Sequence, residues 1–309
     1  RAQVQRQFFD AQEQMALLGV EEALLDGLQV DLASATLLFE EAGQSQVDVL
    51  DAEVALQQQQ IAIERQRGVY DQSLLTLRQT LGGGEVPGVV ETELPIFDPT
   101  LLSPDELVET ALAVSPDVRS SRSSVAGARL AVSEQDESWW PTLNFSYNFS
   151  RRAQATETSA LFDLTPVEQD FGSSFFIGMS LPALNNFFGM REAQAGARVQ
   201  LANQEIALDQ QQLQIEAEVR SNLVALQNEW RALQIAERSA ELAERSTGLA
   251  REEYRLGIRT FEQLQQTVES EATARRQALT SRDALVDALI ALEEYVGAPV
   301  RPQGVPGAN

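Results

Sequence analysis

From Phe187 to Arg255 the chain keeps a single helical rhythm with no proline and no turn cluster, and this stretch limits the fold more than any other feature. Val219, Leu226, Leu233 and Ala240 step by seven, and Leu223 and Trp230 each fall four residues after a member of that series, which is the a/d seam of a coiled coil. At 1.5 Å per residue such a helix runs about 100 Å, too long for an ordinary globular domain. Leu256-Gly257-Ile258-Arg259-Thr260 supplies a turn, and a second helical pattern returns to Val296. The expected unit is a long antiparallel helical hairpin.

The same design stands at the other end of the chain. Apolar residues recur at helical spacing over about 4–41 and 47–81, with Val47, Val54 and Ile61 seven apart and Leu50 between them. Ala42-Gly43-Gln44-Ser45 provides a glycine for the helix end and a serine to cap the next helix. The two halves align without a gap at an offset of 215 positions: Val4 with Val219, Leu18 with Leu233, Ala35 with Ala250, Phe39 with Tyr254, Ser45 with Thr260, Leu77 with Leu292 and Gly82 with Gly297. Apolar matches alone arise easily between amphipathic helices. The shared turn chemistry and terminal glycine point instead to a duplication.

Between the halves, Ser103-Pro104-Asp105-Glu106 and Ser115-Pro116-Asp117 read as helix starts, with serine at the cap and proline at the first helical position. The period then changes. Over 142–150, Leu143, Phe145, Tyr147 and Phe149 alternate strictly with small polar residues, and Phe175, Ile177 and Met179 alternate again in 174–181 with Phe176 as the exception. A soluble sandwich strand shares this alternation. Here only two such strands exist, too few for a stable sheet in water, and nine or so residues suffice for a tilted membrane strand. Trp139 and Trp140 sit where an interfacial aromatic girdle belongs. The expectation is a membrane β-hairpin that completes a barrel with other copies.

Composition removes several functions. A formal charge of −23 opposes a nucleic-acid partner, which needs clustered Lys and Arg. The sequence has no Cys and no His, which excludes thiolate nucleophiles, serine triads and thiolate or imidazole metal sites. Carboxylate pairs such as Asp48 with Asp51 lie on an acidic helix face with no converging acceptor, so no catalysis, cofactor or metal is expected. No run of about eighteen apolar residues exists to form a transmembrane helix.

The stretch SPDELVETALAVSPDV with VAGARLAVSEQDESWWPTLNFSYNF, the strand exit SLPALNNFFGMREAQAGARVQLA, and the turns FEEAGQSQVDVLDAE and YRLGIRTFEQLQ together resemble the outer-membrane efflux (TolC-type) channels. The resemblance reaches to Gly297. It implies a mainly α fold of long helical hairpins in two repeats, with a membrane β-hairpin contributing to a trimeric β-barrel. It also implies a homotrimer in the bacterial outer membrane, with its helical part in the periplasm, contacting outer-membrane lipid, a periplasmic adaptor and an inner-membrane pump. A type I secretion duct and a periplasmic coiled-coil adaptor are the alternatives. Because the family's first strand pair and descending helix have no counterpart here, the chain is expected to be N-terminally truncated.

The expected segments are a first helical hairpin (1–82), linker and equatorial helices (83–137), the β-hairpin (138–186), a second hairpin (187–297) and a tail (298–309). By resemblance, Asp48, Tyr254 and Arg259 match the family's periplasmic gate. Gly43, Gln44, Ser45, Gly257, Ile258 and Thr260 form the helix tips that dock the adaptor, and Gln263 and Gln266 take the positions of the narrowest constriction. Leu143, Phe145, Tyr147, Phe149, Phe175, Ile177 and Met179 are expected to face lipid, and Trp139 and Trp140 the membrane interface.

Overall fold

The structure, a computed structural model, describes residues 2–42, 45–84, 88–89, 97–137, 139–153, 169–181 and 186–300. Its helices are α1 (Ala2–Ala42), α2 (Gln46–Thr80), α3 (Pro104–Val114), α4 (Pro116–Glu137), α5 (Phe187–Arg255) and α6 (Phe261–Val296), with a 3-10 turn at Pro99–Leu101 and strands β1 (Thr142–Ala153) and β2 (Gln169–Ser180). Among the described residues the fold is mainly helical with one two-stranded sheet. It divides into two compact units, residues 1–115 with 214–309 and residues 116–213, and α5 contributes to both.

The helix ends follow from their sequences. Ser45 caps α2 by accepting from Val47 N, and Thr260 with Gln263 forms a reciprocal capping box at the start of α6. Gly257 closes α5 at φ 71°: its own N–H bonds to Tyr254 O at 2.9 Å and that of Ile258 to Glu253 O at 2.9 Å, a Schellman motif that a side chain at φ > 0 would strain. Gly82 and Gly83 close α2 with the same bond pattern, to Gln79 O and Arg78 O. Ser103 stands at the N-cap of α3 but makes no side-chain capping bond there, so Pro104 and the acidic first turn set that start.

In the larger unit α1 packs between α2 and α6, and α3 packs on α6. The α5 seam is buried at Val219, Leu223, Leu226 and Leu233, while Ala240 and Trp230 are half-buried. On α2 the expected seam is corrected. Val47, Leu50, Val54 and Ile61 are all exposed, and the residues turned inward are Ala52, Gln59, Ile63, Ser73 and Leu77.

The inward face of α2 is partly polar, and its glutamines find their partners on α1. Gln66 donates to the Gln14 carbonyl and side-chain oxygens (3.2 and 2.9 Å), and Gln59 donates to the Glu21 carbonyl and carboxylate (2.9 and 2.6 Å). Each step of seven along α1 meets a step of seven back along α2. Paired amides of this kind fix register, since a slip would bury unbonded groups. Nearer the tip the interior becomes apolar, with Leu28, Ala35, Ala52, Ala250, Phe261, Leu264 and Val268 around Tyr254.

In the smaller unit β1 and β2 pair antiparallel, with Leu143 opposite Met179, Phe145 opposite Ile177 and Tyr147 opposite Phe175. Both strands run longer than the alternation suggested, each 12 residues. The opposite face carries Asn144, Ser146 and Asn148, with Thr142 and Ser180 joined by their hydroxyls at 2.9 Å. Phe176 intrudes there because Gly178 leaves room: a Cβ on Gly178 would lie 2.8 Å from the Phe176 ring.

Candidate functional site

The tip of the larger unit gathers residues from both repeats. Tyr254, near the end of α5, is 2% exposed and its ring tilts against Phe261 at 5.5 Å. Its hydroxyl is buried with no hydrogen-bond partner among the described residues. Burial, followed by the charges of Asp48 and Asp31, pushes the phenol up to about 12, so it stays a donor at any physiological pH. Asp48, in the first turn of α2, is itself shifted upward by burial and then by Asp51. Asp48 and Tyr254, from opposite repeats, thus act on each other through charge, and the Tyr254 hydroxyl makes no hydrogen bond to the Asp48 carboxylate.

Arg259 is engaged within its own hairpin. It donates from Nε to Glu253 Oε2 at 2.9 Å and from Nη1 to Thr267 Oγ1 at 3.2 Å, bridging α5 and α6 across their turn. Gln263 and Gln266 line the same side of α6 and share with Glu253, Ile258 and Arg259 an open groove of about 560 Å³. Gln263 also serves the capping box, accepting from Thr260 N at 3.2 Å. Ile258 and Leu256 are exposed at the turn. Ser45 is described, but Gly43 and Gln44 lie outside the described residues.

Two cross-repeat ion pairs with buried carboxylates escaped the sequence reading. Arg251 on α5 grips Asp31 on α1 with both ends of its fork (Nε to Oδ1 3.0 Å, Nη2 to Oδ2 3.2 Å), and Asp31 is almost fully buried. Gly27 makes this possible, because a Cβ there would fall 2.7 Å from Arg251 Nη2. Further along α1, Arg276 of α6 donates to the Glu21 carboxylate at 2.7 Å, which Gln59 of α2 approaches from the other side. Three helices thus meet on one carboxylate. Burial opposes ionisation of Glu21, but bonds from Arg276 and Gln59 prevail and hold it below its ordinary value.

In the smaller unit, Leu143, Phe145, Tyr147, Phe149, Phe175, Ile177 and Met179 are all exposed, and the register places them on one face. Trp140 is exposed at the foot of β1, whereas Trp139 packs edge-on against Phe187 at 5.6 Å. Arg191 lies over the other part of that cluster, 5.3 Å from the Phe187 centroid. Among the described residues no helix is long and apolar enough to cross a membrane, and no group of acidic residues could hold a metal ion.

The described residues thus form long α-helices and a two-stranded antiparallel hairpin with one apolar face. The chain belongs to the outer membrane efflux protein family, whose description matches residues 107–298. In fold it is similar to the outer-membrane channel OprN (17% identity, 96% of this chain and 65% of that one, TM-score 0.69). It is likewise similar to CusC, studied for transmembrane channel formation (17%, 96% and 68%, 0.73), and to the outer membrane protein VceC of Vibrio cholerae (14%, 96% and 69%, 0.64). The chain spans about two thirds of the length of these structures, 65% in the case of OprN. No protein of curated function matches the sequence.

Proposed function

We propose that this chain is the greater part of one protomer of a trimeric outer-membrane exit duct, a passive conduit for efflux without catalytic chemistry. The observation that carries the reading is the β-hairpin: seven large apolar side chains stand exposed on one face of a sheet of two strands whose outer edges have no partner among the described residues. In water such a hairpin is barely stable, and lipid with neighbouring copies supplies both an apolar medium and partners for the edges.

The helical unit supports the same assembly. Val47, Val54 and Ile61 on α2, and Ile235, Leu242 and Leu249 on α5, are exposed stripes stepping by seven. Stripes of that period are the surfaces that helices of neighbouring protomers bury to close a ring. The helical part then lies in the periplasm. Its tips, at Gly43, Gln44, Ser45, Gly257, Ile258 and Thr260, meet a periplasmic adaptor bound to an inner-membrane pump, and Gln263 and Gln266 face the narrowest passage.

The gate in this reading is Asp48, Tyr254 and Arg259. The unbonded Tyr254 hydroxyl beside Asp48 is a donor awaiting its acceptor, and a small closing motion of the tip satisfies it. The test is single-channel conductance of the full-length protein in planar bilayers, alone and as Asp48→Ala and Arg259→Ala. A conducting wild type with larger currents in either variant is expected. A wild type that never conducts refutes the duct, and unchanged currents in both variants refute the gate.

A further inference from the structure

Gly27 and Asp31 share one face of α1, a turn apart, and α5 lays the Arg251 guanidinium against both. Nε and Nη2 each donate to a different oxygen of Asp31, at 3.0 and 3.2 Å. The Asp31 side chain is 5% exposed and that of Arg251 30%, so the fork shields the carboxylate from water. The bare backbone of Gly27 is the floor of this seat, since a Cβ there would stand 2.7 Å from Nη2. Around it, Leu28 and Ala35 of α1 share one apolar cluster with Ala250 and Tyr254 of α5.

Three hydrogen-bonded ion pairs join the two repeats: Arg6 with Glu294, Arg276 with Glu21, and Arg251 with Asp31. The last of these stands nearest the tip. Beyond it, among the described residues, no hydrogen bond or ion pair crosses between the repeats. Arg259 directs its donors to Glu253 and Thr267 of its own hairpin, and the Tyr254 hydroxyl is unbonded. Neither residue therefore holds the second repeat to the first in this state. The duplication does not repeat the seat, because at the offset that aligns the halves Gly27 meets Leu242, Asp31 meets Ser246 and Arg251 meets Thr36.

We propose that Asp31 and Arg251, seated on Gly27, are positioning residues that tether the tip of the second repeat to the first and set how far it opens. The effect on current rests on the gate reading, whereas the tether itself does not. A two-armed charge-assisted fork fixes the approach of the helices as well as attracting them. Each bond to a charged group biases an equilibrium by about tenfold or more, so losing one arm loosens the seam without unfolding it. The apolar contacts left between the seat and the tip are non-directional and let the helices slide apart.

The sequence contains no cysteine, so an introduced one reports on its own site. In the full-length protein, with any cysteine outside this sequence replaced by Ser, Ala35→Cys probes the seam and Ala11→Cys a buried site toward the other end of α1; they stand at positions 1% and 0% exposed. The rate of modification by a soluble maleimide measures how often each site opens. Gly27→Ala displaces Nη2 while leaving both charges in place, and Asp31→Asn removes one charge. Each is expected to speed modification at position 35 about tenfold and leave position 11 unchanged. Gly19→Ala, on the same helix with open space around the new methyl, should change neither. A merely structural role predicts the opposite sign for Gly27→Ala, because alanine in place of glycine inside a helix stabilises it. In planar bilayers Gly27→Ala and Asp31→Asn should raise the current as Asp48→Ala does. Unchanged modification at position 35, or equal acceleration at position 11, overturns the tether. Faster modification with unchanged current, in a protein whose current Asp48→Ala does raise, overturns its control of opening while the gate stands. A wild type that never conducts refutes the duct, and the modification rates still decide the tether.

Discussion

Removing Arg276 tests whether the polar interior of the helical unit holds the repeats together. Glu21 is buried, and its carboxylate takes bonds from Arg276 at 2.7 Å and from Gln59 at 2.6 Å. Arg276→Ala leaves that charge in place with only the amide to satisfy it. Stranding one member of a buried ion pair costs about 3–5 kcal/mol. Arg276 is about a third exposed, so water can reach the gap and about 2–3 kcal/mol is the better expectation. For a chain of this size that lowers the thermal midpoint by about 5 °C, measured by far-ultraviolet circular dichroism at neutral pH.

The triple variant Glu21→Met, Gln59→Leu and Arg276→Met removes every partner together, and apolar replacements of similar volume recover most of the loss. Acid supplies an independent check. Glu21 has a depressed value in the fold, so its contribution is present above its ordinary 4.5 and disappears as pH falls below that through the depressed value. The gap between Arg276→Ala and wild type should shrink there. If Arg276→Ala melts with the wild type at neutral pH, the three-helix junction is not a source of stability and the reasoning fails.

Two further perturbations separate local geometry from assembly. Gly297 caps α6 at φ 72°, and a Cβ there would lie 2.9 Å from Val114 Cγ1, so Gly297→Ala is expected to cost about 1–3 kcal/mol by thermal unfolding, with Gly84→Ala, at an open position, showing no such loss. Phe145→Arg places a cation on the apolar face at a site paired with Ile177; insertion into phosphatidylcholine vesicles should weaken by about 2–4 kcal/mol, whereas Asn144→Arg on the other face should insert nearly as well as wild type, and equal insertion of both would refute a lipid-facing assignment.

The long elements were legible because their patterns are long. Sixty-nine residues of α5 average out any single misleading position, and the strict alternation around Phe145 specifies both the strand and its apolar face. The turn at Gly257 was legible for a different reason: only glycine adopts its φ of 71° without strain, so the residue itself announces the helix end. What the pattern could not decide was the facing of α2, which carries two stripes of the same period. The apolar one through Val47, Val54 and Ile61 looks like a seam, yet the chain turns inward the one holding Ala52, Gln59 and Ser73. Hydrophobicity ranks stripes by their gain from leaving water, and it is blind to whether the partner helix is in the same chain or in a neighbouring copy. Polar side chains that find amides on α1 lose little by burial, and this leaves the apolar stripe for a different contact.

The cross-repeat ion pairs were missed because each is a lone charge with its partner more than two hundred positions away, as in Asp31 and Arg251. A signal for them does exist in the duplication. At the offset that aligns the repeats, Asp31 meets Ser246, Arg251 meets Thr36, Glu21 meets Ala236 and Arg276 meets Ile61. A residue required by the hairpin design itself should recur in both halves, as Gly82 recurs in Gly297. Charges that face small or apolar counterparts instead serve a contact that only one orientation of the repeats can make, and they mark the boundary between the halves. Broken repeat symmetry thus separates the residues that build each hairpin from those that set the two hairpins against each other.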